Sequence, residues 1–344
     1  MAETDLALTH PAVDARPPLV LRGVVFDPPL FSAPMAGITH SAFRRLLADF
    51  GGYGALYTEM LAGKCILHED ELQSPWLKRR PAEGRVIYQL LIANESRLPE
   101  IGARMQSIRP DAVDLNLACD APLVRRLGGG SNLFGDMNRM RAILRGLRAH
   151  FQGPLLAKIR LGDEGEGWPE RLRERLHLFE DEGVDALVVH TRYVGEKLGR
   201  PARPWLYAAL TEETRLPIIA NGDLHCPDIL ARHAAPLSAV RGIMVGRMLV
   251  ACPWLFGKWH NPALSVDRVA LWNRYCDYLL EDFAPDVALK RLKIFTPYFA
   301  RNFFFGHTLF TGVQVAPDFA TARARAQAFF EQSPRLTAVD LAGL

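Results

Sequence analysis

The sequence has few cysteines, and none of them is paired in a Cys-x-x-Cys motif. Its five cysteines are spread widely along the 344 residues, at Cys65, Cys119, Cys226, Cys252 and Cys276. An odd number at such spacing fits neither a disulfide framework nor a zinc site. We therefore expect a reduced, cytoplasmic protein without a bound metal.

Long apolar runs and a strong charge of one sign are also missing. No run approaches the ~20 residues of a membrane span, and residues 1–18 lack the apolar core of a signal peptide. Lys and Arg number 41 against 38 Asp and Glu, so a nucleic-acid partner would have to meet a local basic surface. We expect a mobile leader over residues 1–18, no membrane and no protein partner, and a monomer by default.

What the sequence does contain is a series of short apolar runs that alternate with amphipathic helical segments. The runs are Leu30–Met35, Ala55–Thr58, Val86–Ile92, Ala112–Asn116, Leu155–Ile159, Ala186–His190, Pro217–Ala220 and Gly242–Val245. The clearer helical segments are Ser41–Phe50, Arg97–Ile108, Met137–Phe151, Pro169–Glu182 and Pro227–His233. Eight buried strands alternating with helices predict an α/β fold of the (β/α)8 TIM barrel type. A doubly wound sheet is the alternative, but the turn at residues 33–39 lacks its Gly-x-Gly-x-x-Gly spacing.

The strand pattern stops after Phe256, and the rest of the chain is helical. Helices are predicted over Val266–Phe283, Val287–Asn302 and Ala320–Gln332, joined at Pro285 and around residues 306–317. We predict a barrel domain over residues 19–258, beginning with a hairpin that turns at Gly23, and a small all-helical domain over residues 263–335. The interleaved basic and aromatic residues of this tail are either a core with a solvated face or a surface for RNA.

Chemically active side chains and glycines follow each of the eight predicted strands. They are Pro34 to Gly37, Glu59, Gln89, Asn116 and Cys119, Lys158 and Arg160, His190 and Arg192, Asn221 to Asp223, and Gly246 and Arg247. Strand ends form the active face of a barrel, and buried polar groups are costly unless a ligand satisfies them. We therefore predict a large, partly anionic ligand with a phosphate near the last two turns. Structural alternatives stay open: Lys158 paired with Glu59, a satisfied His190, and a buried, inert Cys119.

Nine segments, taken in order, match the motifs of one known family. They are Ala33–Arg45, Tyr57–Met60, Gln89, Asp114–Cys119, Gly128–Leu133, Lys158–Gly162, Val189–Arg192, Ile219–Asp223 and Val245–Arg247. On these motifs the chain resembles the flavin-dependent tRNA-dihydrouridine synthases, in particular their bacterial branches, from about Leu30 to Phe330. The resemblance implies an FMN-binding barrel and a helical RNA-binding domain. It also implies reduction of the C5=C6 bond of particular uridines in tRNA, with NADPH as donor.

The resemblance also implies roles for individual residues. Cys119 would be the catalytic acid that protonates C5 of the uracil while hydride goes to C6, and Asn116 would orient the base. The cofactor would be bound by Pro34, Met35, Ala36, Gln89, Lys158, His190, Asn221, Gly222, Asp223, Gly246 and Arg247. The remaining substrate contacts would be Arg192, Lys290, Arg291 and Lys293.

Three loops at the predicted active face depart from the family pattern. Ala118-Cys119-Asp120 replaces Gly-Cys-Pro, His190-Thr-Arg-Tyr193 replaces His-Gly/Ala-Arg-Thr, and Gly246-Arg-Met248 replaces Gly-Arg-Gly/Ala. These changes leave the cofactor residues intact but bear on how the base is held. Two alternatives therefore stay open: an FMN barrel that reduces a small pyrimidine or enone, and a catalytically impaired RNA-binding paralogue. Ribosomal RNA is an alternative substrate.

Overall fold

The computed structural model describes residues 16–196 and 199–341, so residues 1–15 of the predicted leader lie outside it. The strands are β1 (Leu19–Leu21), β2 (Val24–Phe26), β3 (Leu30–Ser32), β4 (Leu56–Tyr57), β5 (Leu61–Ala62), β6 (Val86–Leu91), β7 (Ala112–Asn116), β8 (Leu155–Arg160), β9 (Ala186–His190), β10 (Ile218–Asn221) and β11 (Gly242–Val245). The α-helices are α1 (Ser41–Ala48), α2 (Leu98–Ile108), α3 (Pro122–Arg126), α4 (Ser131–Phe134), α5 (Met137–His150), α6 (Trp168–Asp181), α7 (Tyr207–Glu212), α8 (Pro227–Arg232), α9 (Arg247–Ala251), α10 (Leu255–His260), α11 (Arg268–Asp282), α12 (Pro285–Phe299), α13 (His307–Gln314) and α14 (Phe319–Phe330).

Eight of these strands form a parallel barrel. The sheet runs in the order β3-β11-β10-β9-β8-β7-β6-β4, and a bridge between Phe31 and Ala55 joins its two ends. The TIM-barrel prediction is therefore confirmed, and the doubly wound alternative is wrong. The two-residue strand β5, which pairs with β6, was not predicted because so short a run carries no periodic signal.

The barrel interior changes from apolar to polar along its strands. In β8, Leu156 belongs to the apolar cluster inside the barrel, whereas Lys158 and Arg160 line a cavity at the carboxyl end of the strand. In β6, Ile87 belongs to the same apolar cluster and Gln89 lines a cavity. Because side chains two residues apart lie on the same face of a strand, the strands carry their polar groups together to one end of the barrel.

The predicted hairpin is confirmed and closes the opposite end of the barrel. β1 and β2 pair in antiparallel fashion, and Leu19, Leu21 and Phe26 join the apolar cluster inside the barrel. Arg22 in the turn lies 2.8 Å from the carboxylate of Asp185, which precedes β9. Since the hairpin covers the amino ends of the strands, only the carboxyl ends are left to form a site.

Capping residues and apolar spacing explain why the longer helices begin where they do. Asp136 accepts a hydrogen bond from the backbone N–H of Arg139 at 3.1 Å and so caps α5. Asp267 and Asp318 cap α11 and α14 in the same way. The buried residues of α5 lie at helical spacing, at Met140, Ile143, Leu144 and Leu147.

The helical tail packs against the barrel and against itself through aromatic side chains. Trp272 of α11 lies 5.6 Å from Phe299, and Phe295 lies 6.3 Å from Phe43 of α1, measured between ring centroids. Part of the interleaved aromatic set is therefore core, although Phe305 is exposed. The joint predicted around residues 306–317 is wrong, because α13 occupies much of it. This short helix buries few apolar residues, so its sequence gives a weak pattern.

The division at residues 258–263 into two domains stays a prediction. Within the described residues, no helix has the length and apolar character needed to cross a bilayer.

Candidate active site

Two adjoining cavities open at the carboxyl ends of the barrel strands. The larger, of about 230 Å³, lies beside β10 and β11, and we call it the cationic cavity. The smaller, of about 170 Å³, contains Cys119 in its wall and is called the Cys119 cavity. Pro34, Lys158, Arg160 and His190 line both. The two cavities therefore form one continuous mouth.

All the predicted cofactor-binding residues line this mouth. The cationic cavity is lined by Met35, Asn221, Gly222, Asp223, Gly246 and Arg247. The Cys119 cavity is lined by Ala36, Gln89 and the predicted substrate residue Asn116. Barrel register explains the grouping, because Asn116 pairs with Lys158, and His190 pairs with Asn221 on the next strand.

The electrostatic field of the cationic cavity favours an anion. Burial lowers the pKa of His190 well below its usual value, and the charges of Lys158, Arg160, Arg192 and Arg247 lower it further. His190 is therefore neutral near pH 7. Its Nε2 lies 2.7 Å from Nη1 of Arg192, which can only donate, so Nε2 accepts and the proton lies on Nδ1.

Arg192 supports the wall of the cationic cavity through buried hydrogen bonds. Its side chain is only 2% exposed, and its Nη2 donates to Asp223 Oδ2 at 2.6 Å. Its Nε donates to the carbonyl of Arg200 at 2.6 Å. Arg192 lines the cationic cavity and not the Cys119 cavity, and its predicted role as a substrate contact stays a prediction. Gly222 is needed nearby, because an added Cβ would lie 2.7 Å from the ring of His190.

A chain of hydrogen bonds links the barrel interior to the Cys119 loop. Gln89 Nε2 donates to Asp114 Oδ2 at 2.6 Å, and Asn116 Nδ2 donates to Gln89 Oε1 at 2.8 Å. Asn116 Oδ1 then accepts the backbone N–H of Ala118 at 3.2 Å and of Cys119 at 3.0 Å. The relay thus fixes both amide side chains and the backbone that carries the thiol.

Lys158, which pairs with Asn116 on the neighbouring strand, and Asp114, which accepts the hydrogen bond of Gln89, are the charged groups of this region. Burial lowers the pKa of Lys158, and the carboxylate of Asp114 opposes that shift. Burial likewise raises the pKa of Asp114, against its hydrogen bond from Gln89 and the charge of Lys158. The alternative pairing of Lys158 with Glu59 is wrong. Glu59 instead accepts the N–H of Gly37 at 2.7 Å and faces Arg291, because it lies beyond the end of β4.

Glycine lets the loop after Cys119 fold closely upon itself. Gly130 has a φ of +57°, and an added Cβ would lie 2.3 Å from the carbonyl oxygen of Cys119. Ser131 donates its backbone N–H to the same carbonyl at 2.9 Å. The carboxylate of Asp120, where the family has proline, accepts the hydroxyl of Ser131 at 2.9 Å. This departure from the family pattern therefore stabilises the loop locally.

Tyr193, where the family pattern has threonine, also makes specific local contacts. The ring of Tyr193 lies edge-on to Trp168 at 5.4 Å, and the guanidinium of Arg203 covers it at 4.5 Å. Its backbone N–H donates to Glu196 Oε2 at 2.7 Å, and Arg203 binds both oxygens of that carboxylate at 2.7 Å. Tyr193 thus helps to order residues 193–196, which follow Arg192 in the wall of the cationic cavity.

Replacement of Glu196 by glutamine should reduce stability at neutral pH. Hydrogen bonds from Arg203 are the main cause that lowers the pKa of Glu196 from 4.5 to about 2 in the folded protein. The carboxylate therefore contributes stability above about pH 4.5, and that contribution is lost as the pH falls towards 2. Urea unfolding of Glu196→Gln should show a lower midpoint at pH 7 and a shallower acid dependence. Glu164→Gln, at an exposed carboxylate, should change neither.

The three basic residues predicted on α12 do not share one surface. Arg291 lies near the turn after β3, with Nη1 3.9 Å from Glu59 Oε1, the carboxylate that accepts the N–H of Gly37. Lys293 donates to the carbonyl of Ala316 at 2.8 Å within the tail. Lys290 is exposed and lies 3.5 Å from Asp286 one turn away. Helical spacing separates these side chains around the axis.

Sequence reasoning did not assign several residues that line the mouth, among them Met60, Leu224, His225, Met244 and Leu341. Met60 directly follows Glu59, and residues 224 and 225 directly follow Asp223, so position was the signal that could have found these three. His225 adds a further polar group to the cationic cavity, and burial lowers its pKa. Leu341 is brought there by the path of the C-terminal segment, for which the sequence offers no local signal.

A sequence profile described as dihydrouridine synthase matches residues 31–292. A probable tRNA-dihydrouridine synthase of Helicobacter pylori is 28% identical over 243 residues, 70% of this chain and 72% of that protein. A probable tRNA-dihydrouridine synthase of Treponema pallidum is 27% identical over 307 residues, covering 83% and 86%. Among solved structures, an old yellow enzyme homologue from Zymomonas mobilis aligns with a TM-score of 0.53 at 11% identity, over 76% of this chain and 98% of that one. At that identity the likeness concerns the barrel fold.

Proposed function

The chain belongs to the dihydrouridine synthase family, whose profile spans residues 31–292, and from that premise we propose that it reduces the C5=C6 bond of uridines in tRNA. The observation that carries the proposal is that Cys119 and Lys158 line one cavity, which continues into the cationic cavity. A proton donor, a cation and an anion-binding wall thereby surround one space. Had Cys119 and Lys158 lain on separate surfaces, the proposal would have no site.

The residues of the mouth fit a flavin mononucleotide. Its phosphate would be held at residues 221–223 and 246–247, where Arg247 and the cations around His190 favour an anion. The polar ring edge would be bound by Gln89 and Lys158, and residues 34–36 would line the ring. When bound, the flavin would supply the hydride that uracil receives at C6, and NADPH is the proposed reductant. Lys158 would stabilise negative charge on the cofactor.

This chain's own residues would then handle the base and the proton. Asn116, fixed by the relay from Asp114 through Gln89, would orient the uracil by hydrogen bonding. The Sγ–H of Cys119 would protonate C5, since the uracil carbonyl draws electron density towards that carbon as C6 is reduced. The helical tail is proposed to hold folded RNA while the base leaves its stack.

Flavin spectroscopy with defined acceptors tests the proposal. Purified protein should be yellow, be bleached by NADPH, and be reoxidised by uridine-containing tRNA under anaerobic conditions, with dihydrouridine formed. Reoxidation by free uracil or an enone without any need for RNA would instead support the small-molecule reductase. Colourless protein that still shifts tRNA in a gel would support the impaired paralogue. Mapping dihydrouridine in total RNA from a strain lacking the gene would identify the modified position and distinguish tRNA from rRNA.

A further inference from the structure

The helix that follows Cys119 projects from the rim of the barrel mouth. α3 begins three residues after the thiol, and of residues 121–127 only Val124 is buried. Val124 fastens the helix, because its carbonyl accepts the N–H of Gly129 at 3.1 Å. Arg139, from α5, also donates to the carbonyl of Gly128 at 3.0 Å. α3 is therefore exposed to solvent, while hydrogen bonds at residues 124 and 128 hold it in place.

The exposed side chains of α3 combine apolar and cationic groups. Leu123 and Leu127 lie one helical turn apart, and each is 57% exposed. Arg125 is 59% exposed, and Arg126 beside it is exposed too. Covering an exposed leucine is favourable because it removes apolar surface from water. Two exposed leucines that follow Cys119 closely in the chain indicate a partner that covers them. The two exposed arginines, of which Arg125 lies 3.5 Å from Asp120, favour an anionic partner.

RNA with an extruded base meets both requirements. A base that leaves its stack to reach an enzyme opens an apolar gap between its neighbours, and apolar side chains are known to occupy such gaps. Leu123 is four residues from Cys119, which limits their separation to about 14 Å. At about 3.4 Å per stacked base, α3 can reach only nucleotides within about four steps of the reacting uridine.

We propose that Leu123 and Leu127 form an apolar wedge that enters the base stack vacated by the target uridine, while Arg125 and Arg126 contact flanking phosphates. This inference rests on the proposed function and adds to it how the folded substrate is opened. The wedge lowers the free energy of the extruded state by covering the faces of the neighbouring bases. A substrate whose uridine is already unstacked does not need it.

The test compares two RNA substrates with two double variants. The substrates are a folded tRNA transcript and a short single-stranded oligonucleotide that carries the same uridine. For Leu123→Ala with Leu127→Ala, kcat/KM on folded tRNA should fall about 10–100-fold, since unstacking is no longer compensated. On the oligonucleotide it should change less than about twofold, and flavin content and bleaching by NADPH should be unchanged. Val20→Ala with Val25→Ala, exposed valines on the hairpin at the opposite barrel end, should match wild type on both substrates.

Two further measurements make the outcome decisive. A 2-aminopurine placed beside the target uridine should brighten when wild-type enzyme binds and stay dim with the leucine variant. Arg125→Ala with Arg126→Ala should reduce the slope of log affinity against log salt by about 1.4 to 1.8. Equal losses on both RNAs, or no loss on folded tRNA, would overturn the wedge. Wild-type enzyme that reduces neither RNA would instead overturn the proposed function.

Discussion

Replacement of Cys119 by alanine should lower kcat for uridine reduction by about 10²–10⁴-fold, the usual contribution of a positioned general acid. Other titratable groups in the Cys119 cavity are poorly placed for this role. His190 is neutral, and its Nε2 is occupied by Arg192. Lys158 is buried, and in the proposal its charge serves the cofactor. The backbone N–H of Cys119 donates to Asn116 Oδ1 at 3.0 Å, so the thiol combines a proton with a loop position that the relay fixes.

The measurement for this variant is single-turnover reoxidation of reduced enzyme by tRNA. Flavin content and tRNA affinity of Cys119→Ala should stay close to wild type, because within the described residues the relay ends on the backbone N–H groups of Ala118 and Cys119 and not on the sulfur. Cys65→Ala is the matched control, since Cys65 is an exposed cysteine that lines neither cavity. A Cys119→Ala enzyme that retains a tenth or more of wild-type turnover would remove Cys119 from the role of acid.

The sequence predicted the barrel well because most of its strands are short, continuous apolar runs that recur between amphipathic helices. β7 and β9 have the predicted bounds, Ala112–Asn116 and Ala186–His190. Three short elements outside the repeating pattern, β5, α3 and α13, were missed or taken as loops. Such short segments are stabilised by tertiary contacts that leave no periodic pattern in the chain. In α3 the only buried anchor is Val124.

The position of site residues was predictable for a related reason, whereas their partners were not. Once the strands were known, Gln89, Asn116, Lys158 and Asn221 had to lie at one end of the barrel. Their hydrogen bonds depend on side-chain geometry between strands. That geometry pairs Lys158 with the charge of Asp114 rather than Glu59. Arg192 likewise donates to Asp223, and Lys293 donates to the carbonyl of Ala316 within the tail. Residue type alone could not predict these partners.

The polar mouth also depends on a charged pair that lies outside both cavities. Arg44 of α1 and Glu83 are fully buried, and Arg44 Nε lies 2.6 Å from Glu83 Oε2. Arg44 also donates to the carbonyls of Thr39 at 2.9 Å and Lys78 at 2.6 Å. Thr39 ends the turn that begins at residues 34–36. The pair therefore ties the proposed ring-binding segment to the long connection between β5 and β6.

Replacement of Arg44 by leucine should reduce the free energy of unfolding by about 3–5 kcal/mol, because it leaves the carboxylate of Glu83 buried without its cation. Urea unfolding followed by circular dichroism measures this change. The matched control is Arg173→Leu, which breaks the solvent-exposed pair between Arg173 and Glu213, 2.5 Å apart. Exposed pairs contribute about 0–1 kcal/mol, so this variant should remain close to wild type.

A double variant distinguishes the free-energy cost of leaving the Glu83 carboxylate unpaired from the loss of its ion pair with Arg44. Combining Arg44→Leu with Glu83→Leu removes both charges, so the protein should recover much of the stability that Arg44→Leu loses. The free Thr39 and Lys78 carbonyls would still lack their donor, and flavin should dissociate more readily from the double variant than from wild type. If Arg44→Leu costs less than about 1 kcal/mol, the buried carboxylate has found water or another donor. The turn before α1 would then be held by its apolar contacts instead.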